Sequence, residues 1–364
     1  MAKNFNGQLA SNEIFGSLYN LIISQQVFAD NIKDTKSTLV DMARVDGGLY
    51  GDTKLYYATD VLKSAPWGND EEATNLLKLY RPDDPKCQPI TIDTFRQISL
   101  TVDDYLSKRS FSSSGAFSQF NSVMLGWIGD TKKIYDATTY NVAVGTTETA
   151  VGKQTQEIDI STATEGLTGE EKARVEGAAI AEGVANLLVE LTDVSRDYND
   201  YGFLRSYNVD DLLFVWNSKA VSGIEKRDLP TIYHKEIMDK FAQHTLPARY
   251  FGKVNSAATA GNGTTVRSLI EQDVKQTSGT DTKHVFAGDL VPTGYTADAK
   301  TSYTEDDTIL FKAIHKNSMP FMSAFEIGTS FYNPKSLTEN HYLTWGHNTP
   351  EYLANYPFIT VRKK

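Results

Sequence analysis

Apolar positions near the start of the chain recur with a helical period. Ile14, Leu18, Leu21, Phe28 and Ile32 fall on one face, and Ser11 before them is suited to capping. An amphipathic helix within residues 1–35 is the expectation. Past Asp46, Gly47 and Gly48 the character changes, and Tyr50, Tyr56, Tyr57, Val61 and Leu62 mark an aromatic, strand-like stretch. Its return arm is Ile90 and Ile92, then Ile98, Leu100 and Val102 in alternation. Between the arms, Trp67 opens the turn sequence WGND and Arg81 opens RPDDP, turn chemistry without core periodicity. The segment reads as a hairpin, either lying on a globular sheet or projecting as an arm to a neighbour.

A serine run, residues 112–114, precedes a second helical stripe of Phe117, Phe120, Met124, Trp127, Thr131 and Tyr135, which predicts a helix over about 113–137. Gly126 and Gly129 each weaken it by about 1 kcal/mol relative to alanine, and a glycine there lets another backbone come close. Residues 138–167, rich in Thr, Val and Gly, predict a short strand and a loop. The clearest element opens at Thr168, which with Glu171 matches a capping box. Val175, Ala179, Val184, Leu187, Leu188, Leu191 and Val194 then predict about seven helical turns, roughly 40 Å, with small residues facing a sheet.

The unbroken run Leu212, Leu213, Phe214, Val215 and Trp216 reads as a fully buried strand. Ile232, Glu236, Ile237 and Phe241 predict a helix over 231–243. Residues 255–305 are small, polar and turn-rich, a composition that frays in an isolated monomer, so neighbouring copies are expected to hold them. Four strand-like runs close the chain, at 308–314, 321–331, 341–345 and 357–361. The pattern as a whole is α+β.

Composition narrows the function classes. The 364 residues allow one large domain or two to three small ones, and 40% hydrophobic with 23% charged residues suffices for a core. A formal charge of −10 argues against a protein that wraps nucleic acid. Cys87 is the sole cysteine, which excludes an intramolecular disulfide and a four-cysteine zinc site. Apolar runs such as Leu187 to Val189 fall far short of the roughly 18 residues of a membrane span. The first residues lack the apolar core of a secretory signal, so the expected place of synthesis and residence is the cytoplasm.

Catalytic signatures are missing. No P-loop spacing occurs, and Gly261 and Gly263 read as a mobile turn. The six histidines, at 234, 244, 284, 315, 341 and 347, form no HExxH pair, and His341 and His347 read as edge-of-strand residues rather than ligands. Ser114 and Gly115 lack the rest of a nucleophile elbow. Lys86 beside Cys87 could activate the thiol, but an inert, semi-exposed cysteine is the plainer reading. The pairs Asp103–Asp104, Asp210–Asp211 and Asp306–Asp307 diverge in an extended chain and read as solvated loop charge. A hydrolase reading would need His234, Glu236 or Asp239 to converge in a pocket.

Three stretches carry a family likeness. FRQISLTVDDYLSKRSFSSSGAFSQFNSVMLGWIGDTKKIYD (95–136) joins a return strand to a long helix. DLLFVWNSKAVSGIEKRDLPTIYHKEIMDKFA (211–242) is a buried strand, a turn and a helix. ILFKAIHKNSMPFMSAFEIGTSFYNPKSLTENHYLTWGHNTPEYLANYPFITV (309–361) is a β-series with an inserted hairpin. Together they resemble the major capsid protein of tailed bacteriophages, the Hong Kong 97 fold, most closely that of small short-tailed phages (podovirus or picovirus type) of Gram-positive hosts.

The resemblance implies an N-terminal arm at 1–45, an extended E-loop hairpin at 46–100, and a peripheral domain with its spine helix at 101–139. It further implies an axial domain at 140–310 and return strands of the peripheral domain at 311–364. On this reading the protein is no enzyme and has no catalytic, cofactor or metal site. It assembles with itself as pentamers and hexamers, in the host cytoplasm, into an icosahedral or prolate virion shell around double-stranded DNA.

A separate scaffolding protein, a portal protein and possible decoration or head-fibre proteins are the implied partners, with no membrane. No Lys, Asn and Glu cross-linking trio is identifiable, so a non-covalent shell is expected. Tyr50, Tyr56, Tyr57, Trp67 and Arg81 are the candidate subunit-interface residues. Two other readings stay open: another virion component (collar, tail or receptor-binding protein) and a cellular encapsulating shell protein.

Overall fold

A computed structural model describes residues 38–46, 53–64, 79, 81–103, 114–149, 151–220, 242–256 and 265–364. The first elements are α1 (Thr38–Ala43), β1 (Arg44–Asp46), β2 (Thr53–Ala58), β3 (Lys86–Thr91), β4 (Thr94–Asp103), α2 (Ser114–Thr146), β5 (Thr155–Ile158), α3 (Ile160–Ala163) and α4 (Gly169–Thr192). Then come β6 (Leu212–Asn217), β7 (Ala242–Leu246), β8 (Gly252–Val254), β9 (Val266–Ser268), β10 (Gln272–Gln276), β11 (Thr282–Val285), β12 (Tyr295–Thr296) and β13 (Ser302–Glu305). The chain closes with β14 (Ile309–His315), β15 (Phe321–Asn333), β16 (Thr338–His347) and β17 (Phe358–Lys363). The helix expected within 1–35 lies outside the described residues, as do Gly261, Gly263 and 221–241 of the stretch read as strand, turn and helix.

A five-stranded sheet in the order β5-β17-β14-β6-β7 forms the centre. Every residue of β6 is buried, as its unbroken apolar run requires. Strand alternation sends Leu212, Phe214 and Trp216 to a cluster with Ile180, Val184, Leu187 and Leu191 of α4. Leu213 and Val215 face the other way, into a cluster with Tyr140, Val142 and Val144 of α2. The sheet is therefore covered on both faces by helices. Residues 242–243, expected as the end of a helix, instead open β7, which extends the sheet parallel to β6.

Helix α2 runs nine residues past the expected end at 137. Its β-branched tail carries a modest helical penalty, which burial outweighs: Val142 is 1% and Val144 0% exposed. The threonine hydroxyls are spent on the helix itself, Thr138 Oγ1 donating to the Ile134 carbonyl and Thr146 Oγ1 to that of Val142, both at 2.8 Å. The close backbone approach occurs at Gly145 rather than at Gly126 or Gly129. A Cβ at Gly145 would run into the Tyr250 carbonyl oxygen, whereas one at either of the others meets nothing within 4 Å among the described residues. Gly145→Ala is expected to cost about 1–3 kcal/mol, the range of core overpacking, in a denaturant melt. An unchanged midpoint would remove this contact from the account.

Helix α4 starts and packs where expected, burying Ala173, Gly177, Ile180, Val184, Leu187, Leu188 and Leu191. Its capping box is not formed. Thr168 occupies the cap position without a side-chain hydrogen bond, and Gly169 follows at φ +62°. The helix ends at Thr192, so Val194 lies beyond it and is exposed.

The expected division at 139/140 falls inside α2, and that at 310/311 falls inside β14. β14 and β17 bond to β6 and β5 in the central sheet, while β15 and β16 join β1 and β4 in a separate four-stranded sheet. The closing strands thus divide between two sheets. β4, read as part of the hairpin's return arm, pairs along its whole length with β16. His347 accordingly ends an inner strand, not an edge: it is buried, with Tyr135 Oη 2.8 Å from its Nε2.

The small, polar stretch between 265 and 305 also has an apolar centre of its own. Val274, Val285, Val291, Tyr295 and Ala297 form a buried cluster under the sheet β11-β10-β12. These five residues are held by packing within the chain.

One buried charge is built into the central sheet. Lys312 on β14 is fully buried, its Nζ donating to the Thr147 carbonyl at 2.7 Å and to Thr360 Oγ1 at 2.9 Å. Burial pulls its ammonium down to about 7, against the attraction of Glu148. Between that value and the unfolded one near 10.4 the unfolded chain binds more protons, so this residue makes stability rise with pH. Below it the burial penalty is complete. Lys312→Met is expected to be stabilising near pH 6 and to flatten the stability profile from about pH 7 to 10. Parallel profiles for the two proteins would contradict this.

Candidate interaction surface

No group of three or more His, Cys, Asp or Glu side chains able to hold a metal occurs among the described residues. The described histidines are spread over β7, β11, β14 and β16. His315 stacks on Tyr356 with ring centroids 4.4 Å apart, and burial holds it below its ordinary range, as it does His347. The acidic pairs are tied to separate partners: Asp306 to Arg362, Asp307 to Lys219 and Asp211 to Lys316. His234, Glu236 and Asp239 lie outside the described residues. An open hollow beside Cys87 is lined by Gln88, Tyr201, Glu351 and Tyr352, with no histidine. No described helix is long and apolar enough to cross a membrane.

The β2–β3 hairpin offers surface instead of chemistry. Thr53 pairs with Thr91 and Ala58 with Lys86, so the ribbon is antiparallel and belongs to no larger sheet among the described residues. Two strands alone are marginal in water, and this ribbon is fastened on one face. Ile90 and Ile92 pack with Met322, Ala324 and Leu353, and Tyr56 lies against them. Gln88 Nε2 donates to the Tyr352 carbonyl at 3.0 Å while its Oε1 accepts from the Ala354 N–H at 2.9 Å.

At the end of β2, the Asp60 carboxylate accepts from the Leu204 N–H at 3.0 Å and from Arg196 at 2.6 Å. The Leu204 bond, then Arg196, pull the Asp60 carboxyl down to about 2. These bonds fix the ribbon's inner face.

Alternation turns the other face outward. Leu55 is 52% and Tyr57 66% exposed, opposite Pro89 and Cys87, and Val61, Leu62 and Leu79 are exposed beyond them. Of the five candidate interface residues, Tyr57 stands on this outer face and Tyr56 on the anchored one, while Arg81 is exposed. Tyr50 and Trp67 lie outside the described residues. Leu55, which the aromatic reading passed over, shares this outer face with Tyr57, as their i, i+2 spacing requires.

A second surface lies at the far end of the β15–β16 hairpin. β1 covers β15 only at Phe321, Met322 and Ser323. From Ile327 to Asn333 the strand is paired with β16 alone among the described residues, with Ile327, Phe331 and Tyr332 exposed. An apolar strand edge of this kind is a template for another strand.

The capsid structure of Staphylococcus phage Andhra superposes on this architecture with a TM-score of 0.58 at 10% identity, over 89% of this chain and 83% of that chain. The chain has a phage-capsid, Hong Kong 97-like fold. A chain in the structure of head fiber and inner core protein gp22 of native bacteriophage P68 also matches with a TM-score of 0.58 at 10% identity, over 88% of this chain and 83% of that one. No protein-family model and no curated protein matches the sequence. In this capsid fold the outer face of the β2–β3 ribbon and the β15 edge are apolar surfaces left exposed among the described residues.

Proposed function

We propose that this chain is the major capsid protein of a tailed phage, a structural and non-catalytic subunit that builds the head shell. The supporting observation is the pairing of a capsid fold over most of the chain with a hairpin fastened on one face and apolar on the other. A shell needs many modest, repeated contacts, and a surface that meets a different surface on the next copy closes rings instead of dimers. The ribbon's outer face, with Leu55 and Tyr57, is one such surface, and the β15 edge is a fitting receiver for an extended segment. Tyr50, Trp67 and Arg81 belong to the same proposed contact.

The subunit would form pentamers and hexamers around double-stranded DNA, with a net charge of −10 that suits a wall to which packaged DNA does not adhere. A separate scaffold, a portal and decoration or head-fibre proteins complete the proposed partners. Assembly would take place in the host cytoplasm, and a short-tailed phage of a Gram-positive host is the proposed source. Protein quantification of purified virions tests the assignment. This chain is expected to be the most abundant polypeptide; a minor share would assign it to the collar or tail.

A further inference from the structure

His284 on β11 stands in register with Asp273 on β10, and its ring reaches two carboxylates at once. Nδ1 lies 2.8 Å from Asp273 Oδ1 and Nε2 lies 3.0 Å from Glu271 Oε1. An ionised carboxylate only accepts hydrogen bonds, and a neutral imidazole has one N–H to donate. Making both bonds therefore requires the imidazolium. Arg96 lies 4.0 Å from the second oxygen of Glu271, on the side away from the ring.

The two nitrogens point apart, which suits a bridge between carboxylates and not the convergence of ligands on a metal. The bridge is connected to the body of the molecule. Arg96 on β4 donates to the Glu271 carbonyl at 2.7 Å and to Tyr135 Oη on α2 at 3.2 Å, with its guanidinium 5.1 Å from the Tyr135 ring centroid. A row of contacts thus runs from β11 through β10 to β4 and α2.

We propose that His284 is a proton-dependent fastener of the β11-β10-β12 sheet, bridging Asp273 and Glu271 as an imidazolium and releasing one of them when neutral. The charged groups facing it are those two carboxylates, with Arg96 behind Glu271. Phe286 meets the ring edge-on at 5.2 Å without adding charge, and Lys283 is turned to the Tyr295 ring. The hydrogen bond to Asp273 raises the His284 titration above its ordinary value, partial burial opposes it, and the charge of Glu271 adds to the rise. A raised folded value means that the fastening is complete below the unfolded value of about 6.5 and is lost as pH rises through the folded one.

Hydrogen exchange of the full chain, corrected for intrinsic rates and followed from about pH 6 to 8.5, reads this directly. Protection of the β10 and β11 amides is expected to fall severalfold across that range in the parent protein. In His284→Lys, which keeps a charge throughout, it is expected to stay level. Should that variant fail to fold, ring nitrogen shifts of the parent protein decide the matter: two protonated nitrogens on His284 at pH 6.5 support the bridge. Protection that is flat with pH, or a His284 ring that is neutral at pH 6, would overturn it.

Discussion

Leu191→Asp is expected to abolish folding. Leu191 is 1% exposed, in the cluster that joins α4 to Phe214, Trp216 and Phe311 of the central sheet. An aspartate there buries a carboxylate in an apolar cluster at a cost of several kcal/mol, and the leucine's own packing of about 2–5 kcal/mol is lost as well. Together these rival the roughly 5–15 kcal/mol by which a domain is stable. Val189, on the same helix but 68% exposed, is the control: Val189→Asp is expected to fold with a nearly unchanged melting point. Circular dichroism and solubility check both, and a soluble Leu191→Asp protein with a cooperative melt would refute the packing of α4.

The second large effect concerns assembly without folding. Leu55→Glu combined with Tyr57→Glu changes two side chains that their own subunit leaves 52% and 66% exposed, so the melting point is expected to stay close to that of the parent. Shell formation is expected to fail. Removing an interface anchor costs about 2 kcal/mol or more, near 30-fold in affinity per contact, and a shell repeats the contact at every subunit. Tyr56 provides the contrast: it packs on the Ile90 and Leu353 cluster, so Tyr56→Ala is expected to loosen the ribbon's anchorage and lower thermal stability. Shells that form at the parent's concentration from the doubly substituted protein would exclude the ribbon's outer face from the contact.

Much of this architecture is legible in the sequence. The strand β6 announced itself by five consecutive apolar residues, α4 by its periodic face, and β14 to β17 by runs of the right length, because in each the local pattern and the final burial agree. What escaped the sequence was decided at long range. The tail of α2 looks like a strand by propensity, yet Tyr140, Val142 and Val144 are helical because a sheet formed by residues 155–363 needs that face covered.

Residues 242–246 became a strand through pairing with β6, and the sheet of β10 to β12 rests on five apolar residues too widely spaced to read as a core. The candidate surface was half legible. Aromatic character drew attention to the hairpin, but which of Tyr56 and Tyr57 faces outward follows from the register with β3 and from Gln88 and Asp60, which fasten the inner side. The Thr168 cap shows the opposite failure, a matching motif whose side-chain bond is not made.

Assembly is the property on which the proposed function stands, and sedimentation with negative-stain imaging measures it directly. The full chain would be expressed alone and together with candidate scaffold proteins from the same genome. Closed shells or capsomer rings in at least one of these preparations are the expected result. A folded protein that remains monomeric in all of them would contradict the shell reading and turn attention to glycan binding by a virion attachment protein.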